Sequence, residues 1–202
     1  MKTCFLRAFA LIVICVAALT ASATSGVYLT YDDFKNGKIQ KADDGTFQYH
    51  YNNRNITFTQ GSAKQKFAAK SIWGFLLNDE LFRMIPSPQN IPLPCKLTSA
   101  GKYCIWYYSE SYMASGAGGS SEHTIDVTYL CYGINGQPFL MWHDKQLEKA
   151  VAAVKELKPV FDCAKGQKSS MMNTYLSIIT ECIKTLPGYV ADTKSVVPAI
   201  KN

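Results

Sequence analysis

The chain has 202 residues, almost half of them apolar, and a formal net charge of +6. A chain of this size and composition can bury one substantial core, and its length favours one domain over two. Its lysines are scattered and interleaved with acids, whereas proteins that bind phosphate backbones gather basic residues in a dense stripe. The composition therefore argues against nucleic acid as a partner.

The N-terminus has the pattern of an export signal. Lys2 and Arg7 flank the start of an apolar run over residues 9–19, and Ala-Ser-Ala at residues 21–23 supplies the small residues that a signal peptidase needs. A helix needs roughly twenty apolar residues to span a bilayer, and this run is shorter. We therefore expect a signal peptide over residues 1–23, a mature chain beginning near Thr24, no stable transmembrane segment after cleavage, and a periplasmic, cell-surface or secreted protein.

The cysteines predict disulfide bonds, because an exported protein meets oxidising conditions. Five remain after residue 23, namely Cys95, Cys104, Cys131, Cys163 and Cys182. An odd number leaves at least one thiol free or bonded to another chain. Cys95 with Cys104 is the first choice, since a short excursion of small residues could return the chain on itself. Cys163 with Cys182 is the second, and it requires the segment before Ser169 to run back alongside the following helix. The absence of a Cys-x-x-Cys pair argues against structural zinc.

The first half of the mature chain reads as strands. Residues 27–31 are short, apolar and β-prone. Phe47, Tyr49 and Tyr51 alternate with polar residues, and a turn of amide residues leads into a second short strand at residues 56–59. Residues 71–77 and 81–85 predict another hairpin, joined at Asn78-Asp79-Glu80.

Prolines interrupt this pattern. Each proline lacks the amide hydrogen that a regular ladder uses, so a surface connection is predicted where prolines stand at positions 86, 88, 92 and 94.

Aromatic strands follow the prolines. Residues 102–113 predict a long strand, and the small residues at 114–121 predict a flexible, exposed tip leading to a strand at 123–132. Asn135-Gly136 then predicts a tight turn into a strand over residues 138–142.

The hydrophobic period becomes helical after His143. Apolar residues recur at helical spacing from Leu147, with Asp144 as a cap and Pro159 as the expected end or kink. A second helix is expected after Gly166, and Pro187-Gly188 would stop it.

Strands first and helices last indicate an α+β fold, with an antiparallel β-sheet or open barrel built from hairpins and followed by two C-terminal helices. The expected single domain covers residues 24–202, with a strand-rich part at 26–142, a helical part at 144–187 and a tail at 188–202.

The histidines offer little sign of chemistry. His50, His123 and His143 share no metal-ligand motif, and we expect neither a metal nor a cofactor. A hydrolase whose site is assembled from distant residues around His123 and His143 remains the alternative function, and no catalytic residue is assigned.

Aromatic density gives the one positive hint of binding. Trp106, Tyr108, Tyr112 and His123 are candidate ligand contacts, because rings on an exposed sheet face can stack on sugars or anchor a protein. Core packing is the favoured reading of these rings, since aromatic residues dominate small β-rich interiors. The leading hypothesis is a non-catalytic exported or envelope protein that binds a protein or glycan partner.

Three segments resemble a group of small exported proteins of Bacteroidota. Residues 26–38 contain Tyr-Leu-Thr-Tyr-Asp-Asp-Phe, and Trp-Gly-Phe at residues 73–75 precedes a Phe-Arg strand at 81–85. The group opens its mature part with Tyr-Leu-Thr-x-x-Asp-Phe and carries a Trp-Gly-Phe/Tyr strand leading to a Tyr-Arg or Phe-Arg strand. The resemblance implies a bacterial envelope location and a shared fold, and it carries over no catalytic residue.

Overall fold

The computed structural model describes residues 23–43, 45–116, 119–141, 144–165, 167 and 172–201. Residues 1–22, and with them nearly all of the predicted signal peptide, lie outside this range, as does His143. Among the described helices, none has the length and apolar character needed to cross a membrane.

Within the described residues the chain forms twelve β-strands and four α-helices. The strands are β1 (Gly26–Tyr28), β2 (Gln40–Lys41), β3 (Gln48–His50), β4 (Asn55–Gln60), β5 (Ala63–Ala68), β6 (Gly74–Leu77), β7 (Glu80–Pro86), β8 (Pro92–Gly101), β9 (Tyr103–Gly116), β10 (Gly119–Tyr132), β11 (Phe139–Leu140) and β12 (Tyr189–Val190). The helices are α1 (Tyr31–Lys35), α2 (Asp144–Ala153), α3 (Lys158–Ala164) and α4 (Met172–Thr185).

The strands form one large and one small antiparallel sheet. The large sheet has the order β11-β10-β9-β8-β7-β6-β1-β2, with β12 added beside β8, and it stays open. The small sheet has the order β3-β4-β5. Consecutive strands are joined mainly as hairpins, and helices follow the strands. The predicted α+β class is therefore confirmed.

The β6–β7 hairpin turns where the sequence predicts it. Asn78 and Asp79 have φ angles of 54° and 63°. Two successive left-handed residues make a two-residue turn whose twist matches that of the flanking strands. Asn and Asp tolerate this backbone conformation better than most other residues, so the local sequence determines the turn.

The prolines do not exclude a ladder, and the prediction of a surface connection is wrong for Pro86, the last residue of β7, and for Pro92 and Pro94. The last two belong to β8, where Pro92 lies opposite Pro86 and Pro94 lies opposite Met84 on β7. Pairing of β8 with β9 begins only at Lys96. The nitrogens of Pro92 and Pro94 therefore point away from β7. On that side β9 has not yet begun to pair, so an amide hydrogen would have no strand partner.

The glycine and serine tract extends a hairpin instead of forming a long tip. β9 continues to Gly116 and β10 begins at Gly119, which lies directly opposite Gly116. Only residues 117 and 118 separate the two strands, and they lie outside the described residues. Antiparallel pairing explains the difference, because a ladder can continue through small residues whose side chains contribute little packing.

The region predicted as two helices contains three α-helices. Pro159 lies in the first turn of α3 instead of ending the preceding helix, because a proline in the first turn gives up no intrahelical hydrogen bond. α3 packs against α4, and a disulfide joins Cys163 to Cys182 with their α-carbons 5.8 Å apart. The predicted pairing of these two cysteines is confirmed.

The predicted Cys95–Cys104 bridge does not form. Both thiols are free and buried, as is Cys131. Lys96 on β8 lies opposite Tyr107 on β9, so Cys95 and Cys104 are displaced along the strands by at least three residues. At roughly 3.3 Å per residue this displacement exceeds the α-carbon separation of about 7 Å that a disulfide tolerates.

The large sheet carries a core on each face. Its inner face buries Tyr28, Leu97, Trp106 and Tyr129 among others. One part of the outer face packs under the C-terminal helices through Ile105 and Leu130. Another part of the outer face packs against the small sheet, and aromatic rings fill that interface: Phe47, Phe58, Phe75 and Phe82.

A half-buried arginine connects the middle of the open sheet to the turn beside its β11 edge. Arg83 on β7 donates from Nη1 to the carbonyl oxygens of Gly136 at 2.9 Å and Ile134 at 3.2 Å, both in the turn between β10 and β11. Asn135 of the same turn accepts a hydrogen bond from the indole nitrogen of Trp73 at 2.7 Å. These contacts hold the β10–β11 turn against the inner face of β7.

Candidate functional site

A cavity of about 410 Å³ lies between the small sheet and the β7–β8 hairpin. It has the size of a small-ligand site. Three segments supply its walls: the turn into β4, the chain after β5, and the ends of β7 and β8. Its lining residues are Asn53, Arg54, Asn55, Ala68, Ala69, Lys70, Ile72, Met84, Pro86, Asn90 and Pro92.

Hydrogen-bond donors and positive charge dominate the polar part of this cavity. Arg54 and Lys70 contribute two cations, and Asn53, Asn55 and Asn90 contribute three amides. Among the described residues that line the cavity, none is a carboxylate. The two cations therefore meet no opposing charge within the lining, which favours an anionic ligand group.

The backbone holds Arg54 in an unusual conformation. Its φ angle of 51° lies in the left-handed region, which few residues other than glycine, asparagine and aspartate adopt. The carbonyl oxygen of Arg54 accepts a 2.8 Å hydrogen bond from the amide of Ala69, which ties this turn to the end of β5. Two cavity walls are thus fixed to each other.

The guanidinium group of Arg54 rests on an aromatic ring. Its central carbon lies 4.4 Å from the centroid of the Tyr51 ring, which is a cation–π contact. Nη1 of Arg54 is buried, and no described atom accepts a hydrogen bond from it. A buried donor without an acceptor carries a free-energy cost, so Nη1 has room for an acceptor, while the hydroxyl groups of Tyr51 and Tyr49 already interact with this guanidinium group.

A shared carboxylate fixes Tyr51 beneath Arg54. The hydroxyl groups of Tyr51 and Tyr108 both donate to Oε2 of Glu110, that of Tyr108 at 2.8 Å. The two rings are stacked with their centroids 6.2 Å apart. Burial, and then the hydrogen bond to Glu110, raise the pKa of Tyr51. Tyr51 therefore stays protonated and acts as a rigid support, since nucleophilic chemistry would require a lowered pKa.

The structure places the sequence-predicted contacts in different environments. Trp106 is completely buried and Tyr108 is 4% exposed, both on the inner face of the sheet. His123 is exposed on β10, opposite the backbone of Tyr112. The side chain of Tyr112 lies outside the described residues. The exposed aromatic residue of this part of β9 is Tyr107, on the opposite face from Trp106.

The histidines are not assembled into a site within the described residues. His123 is on β10, and His143 lies outside those residues. Nε2 of His50 is 2.8 Å from the hydroxyl of Thr57, a diagonal neighbour on β4. In the described part of the chain, no three His, Cys, Asp or Glu side chains are placed to hold a metal ion.

Sequence reasoning identified the turn at residues 52–55 but not its role. The signal in the sequence is one arginine within a run of asparagines, directly after the alternating aromatic residues Phe47, Tyr49 and Tyr51. Lys70 gives no such signal, because it is one of many scattered lysines and only the fold brings it to the cavity.

No protein-family model, curated protein or solved structure matched this chain in comparisons.

Proposed function

We propose that this protein is a non-catalytic exported protein that binds an acidic glycan in the cavity around Arg54 and Lys70. The observation that carries the proposal is the convergence of two cations and three amides on one cavity whose described lining has no carboxylate. This arrangement provides several hydrogen-bond donors for one anionic, hydroxyl-rich ligand.

Each part of the cavity suits one part of an acidic sugar. The planar guanidinium of Arg54 can donate two parallel hydrogen bonds to a carboxylate, and Lys70 adds a point charge. The asparagine amides can both donate to and accept from sugar hydroxyl groups. Ile72, Met84 and Pro86 form apolar walls for the C–H faces of a sugar ring.

Binding is favoured over hydrolysis at this cavity because of its charge. Most glycoside hydrolases place two carboxyl groups across the bond that they cleave. The acid that contacts Tyr51, beneath Arg54, is Glu110, and two tyrosine hydroxyl groups already share one of its oxygens. Glu110 thus supports the ring beneath Arg54.

The export part of the proposal rests on the N-terminal sequence. Residues 9–19 and the small residues at 21–23 form the signal pattern. The Cys163–Cys182 disulfide is compatible with an oxidising compartment. An envelope or secreted protein also has access to the acidic polysaccharides that occur outside cells.

A ligand pair tests the charge requirement directly. The probe is a short oligogalacturonate, and the matched control ligand is its methyl ester, which keeps the sugar rings and removes the negative charges. We expect calorimetric titration at low salt to show binding of the acid at least about tenfold tighter than binding of the ester. Equal binding of the two ligands, or no binding of the acid, would contradict the proposal.

A variant pair tests the location. Arg54→Met/Lys70→Met removes both cations, and Lys64→Met/Lys66→Met removes two cations of β5 that do not line the cavity. Both variants lose the same net charge. We expect the first to weaken oligogalacturonate binding by about a hundredfold, at roughly tenfold per cation, and the second by less than about threefold. Equal losses would indicate nonspecific electrostatic attraction, not a site at this cavity.

A further inference from the structure

β10 has an open edge. It pairs with β9 along its whole length, but β11 covers only Tyr129 and Leu130 on the other side. One more hydrogen bond, from the amide of Met141 to the carbonyl oxygen of Thr128, extends this contact. Among the described residues, no strand pairs with the outer edge of β10 at residues 122–126.

The direction of each backbone group along this edge follows from that bond. The carbonyl oxygen of Thr128 points away from β9 and toward β11. Backbone direction alternates along a strand, so Asp126, Thr124 and Glu122 also direct their amide and carbonyl groups outward. This edge therefore offers three pairs of hydrogen-bonding groups in register, and all three residues are exposed.

The charge around this edge is acidic, although the chain as a whole is basic. The full sequence has 21 lysine and arginine residues against 15 acids, yet none of the basic residues lies between Tyr103 and Asp144. Glu110, Glu122 and Asp126 fall within that segment. Lysine is a common protection of natural edge strands against added strands, and this edge has none.

The acids disfavour a second copy of the chain at this edge. Antiparallel pairing of two β10 strands about Thr124 would place Glu122 of one copy opposite Asp126 of the other. Like charges that lie directly opposite each other destabilise a strand pair. The hydroxyl of Tyr107 donates to Asp126 at 2.5 Å and lowers the pKa of that carboxyl group, so Asp126 stays charged at neutral pH.

We propose that the outer edge of β10 at residues 122–126 accepts an extended basic segment of a partner polypeptide as an additional strand. Backbone hydrogen bonds to Glu122, Thr124 and Asp126 supply the pairing, as in other strand-addition complexes. Basic side chains at every second position of the partner face the two carboxylates. The intervening positions face the side of Ile125, which is 45% exposed.

A pair of synthetic peptides tests the chemistry of the partner. The probe is a capped hexapeptide of alternating lysine and valine, and its control carries glutamate in place of lysine. We expect the lysine peptide to slow hydrogen exchange at the amides of Glu122, Thr124 and Asp126, and to bind less tightly as salt increases. The glutamate peptide should leave those amides unprotected.

A variant pair tests the edge itself. Thr124→Pro removes an outward amide hydrogen, whereas Thr124→Val keeps it. Both variants lose the contact between the hydroxyls of Thr124 and Ser111, which are 3.1 Å apart, so that contact cannot explain a difference. We expect the proline variant to weaken binding of the lysine peptide by at least about tenfold, and the valine variant by less than about twofold.

A second variant covers the case in which Thr124→Pro fails to fold. Glu122→Gln/Asp126→Asn leaves the backbone unchanged and should remove the preference for the lysine peptide over the glutamate peptide. Equal binding of the two peptides to the unaltered protein, or no amide protection at saturating peptide, would overturn the proposal. Protection without peptide in a dimer would also overturn it, because a second copy would then occupy the edge. Oligogalacturonate binding should not change in any of these variants.

Discussion

Replacing Cys163 and Cys182 with alanine removes the covalent link between α3 and α4, and we expect the free energy of unfolding to fall by about 3 kcal/mol. The two cysteines are separated by 19 residues in sequence. The chain-entropy relation for a closed loop of this length gives about 3 kcal/mol at 25 °C. The loss comes mainly from the greater freedom of the unfolded chain, so we expect little change in the sheet or in the cavity.

Urea unfolding with and without a thiol reductant measures this contribution. The unaltered protein should lose about 3 kcal/mol on reduction, and the Cys163→Ala/Cys182→Ala variant should not respond to the reductant. Cys95→Ala is the matched control, because it removes a buried free thiol and should keep the full response. A protein that is insensitive to reductant, or a Cys95→Ala variant that loses the response, would refute the assignment of the bridge.

Two further predictions concern alkaline pH and a tight glycine. Burial raises the pKa of Cys104 to about 12 and that of Cys131 to about 11, so these thiols stay protonated in the fold after they ionise in the unfolded chain. Stability should therefore be complete below about pH 8 and fall by roughly 1.5–2 kcal/mol per thiol near pH 10, as urea unfolding of the reduced Cys163→Ala/Cys182→Ala variant would show; a flat profile would contradict this burial. Gly101→Ala should cost about 2–3 kcal/mol in urea unfolding, because φ is +110° and the added carbon would lie 1.9 Å from the carbonyl oxygen of Gly188, where β12 joins β8. Gly61→Ala, with φ of +60° and open space around it, should cost only about 1 kcal/mol, and equal losses would contradict the proposed clash.

Local sequence patterns were sufficient to predict the structure where residues close together in sequence determine it. Asn78-Asp79 has the turn residues that a two-residue hairpin requires, and the turn forms there. Predicting the Cys163–Cys182 bridge required only that the chain before the last helix run back alongside it. α3 does so and carries Cys163. Both predictions depend on geometry within about twenty residues of sequence.

Predictions failed where the answer depended on a neighbouring strand. Pro94 is compatible with β8 because β9 begins to pair only from Lys96, and this offset between strands leaves no mark in the sequence. The same limit applies to the aromatic strand β9. Alternation separates Trp106 from Tyr107, but it does not show which face of the sheet is covered at this point, where Tyr107 is exposed and Trp106 is buried.

The candidate cavity shows this limit most clearly. Arg54, Lys70 and Asn90 come from three separate connections between strands, and only Arg54, within its run of asparagines, gives a local signal. Charge composition cannot reveal such a site, because the cations meet only after the small sheet packs beside β7. The acidic character of the β9–β10 hairpin, by contrast, is visible in the sequence as a long stretch without lysine or arginine.

The half-buried guanidinium group of Arg83 constrains the order in which this chain can fold. Its acceptors, the carbonyl oxygens of Ile134 and Gly136, come about fifty residues later in the sequence. A nascent chain that ends after β9 would contain Arg83 without these acceptors, and removing its charge from water would then be uncompensated. We therefore expect β7 to complete its packing only after the β10–β11 turn has been synthesised. The early hairpins would stay loosely folded until then, and the sheet would consolidate in one late, cooperative step.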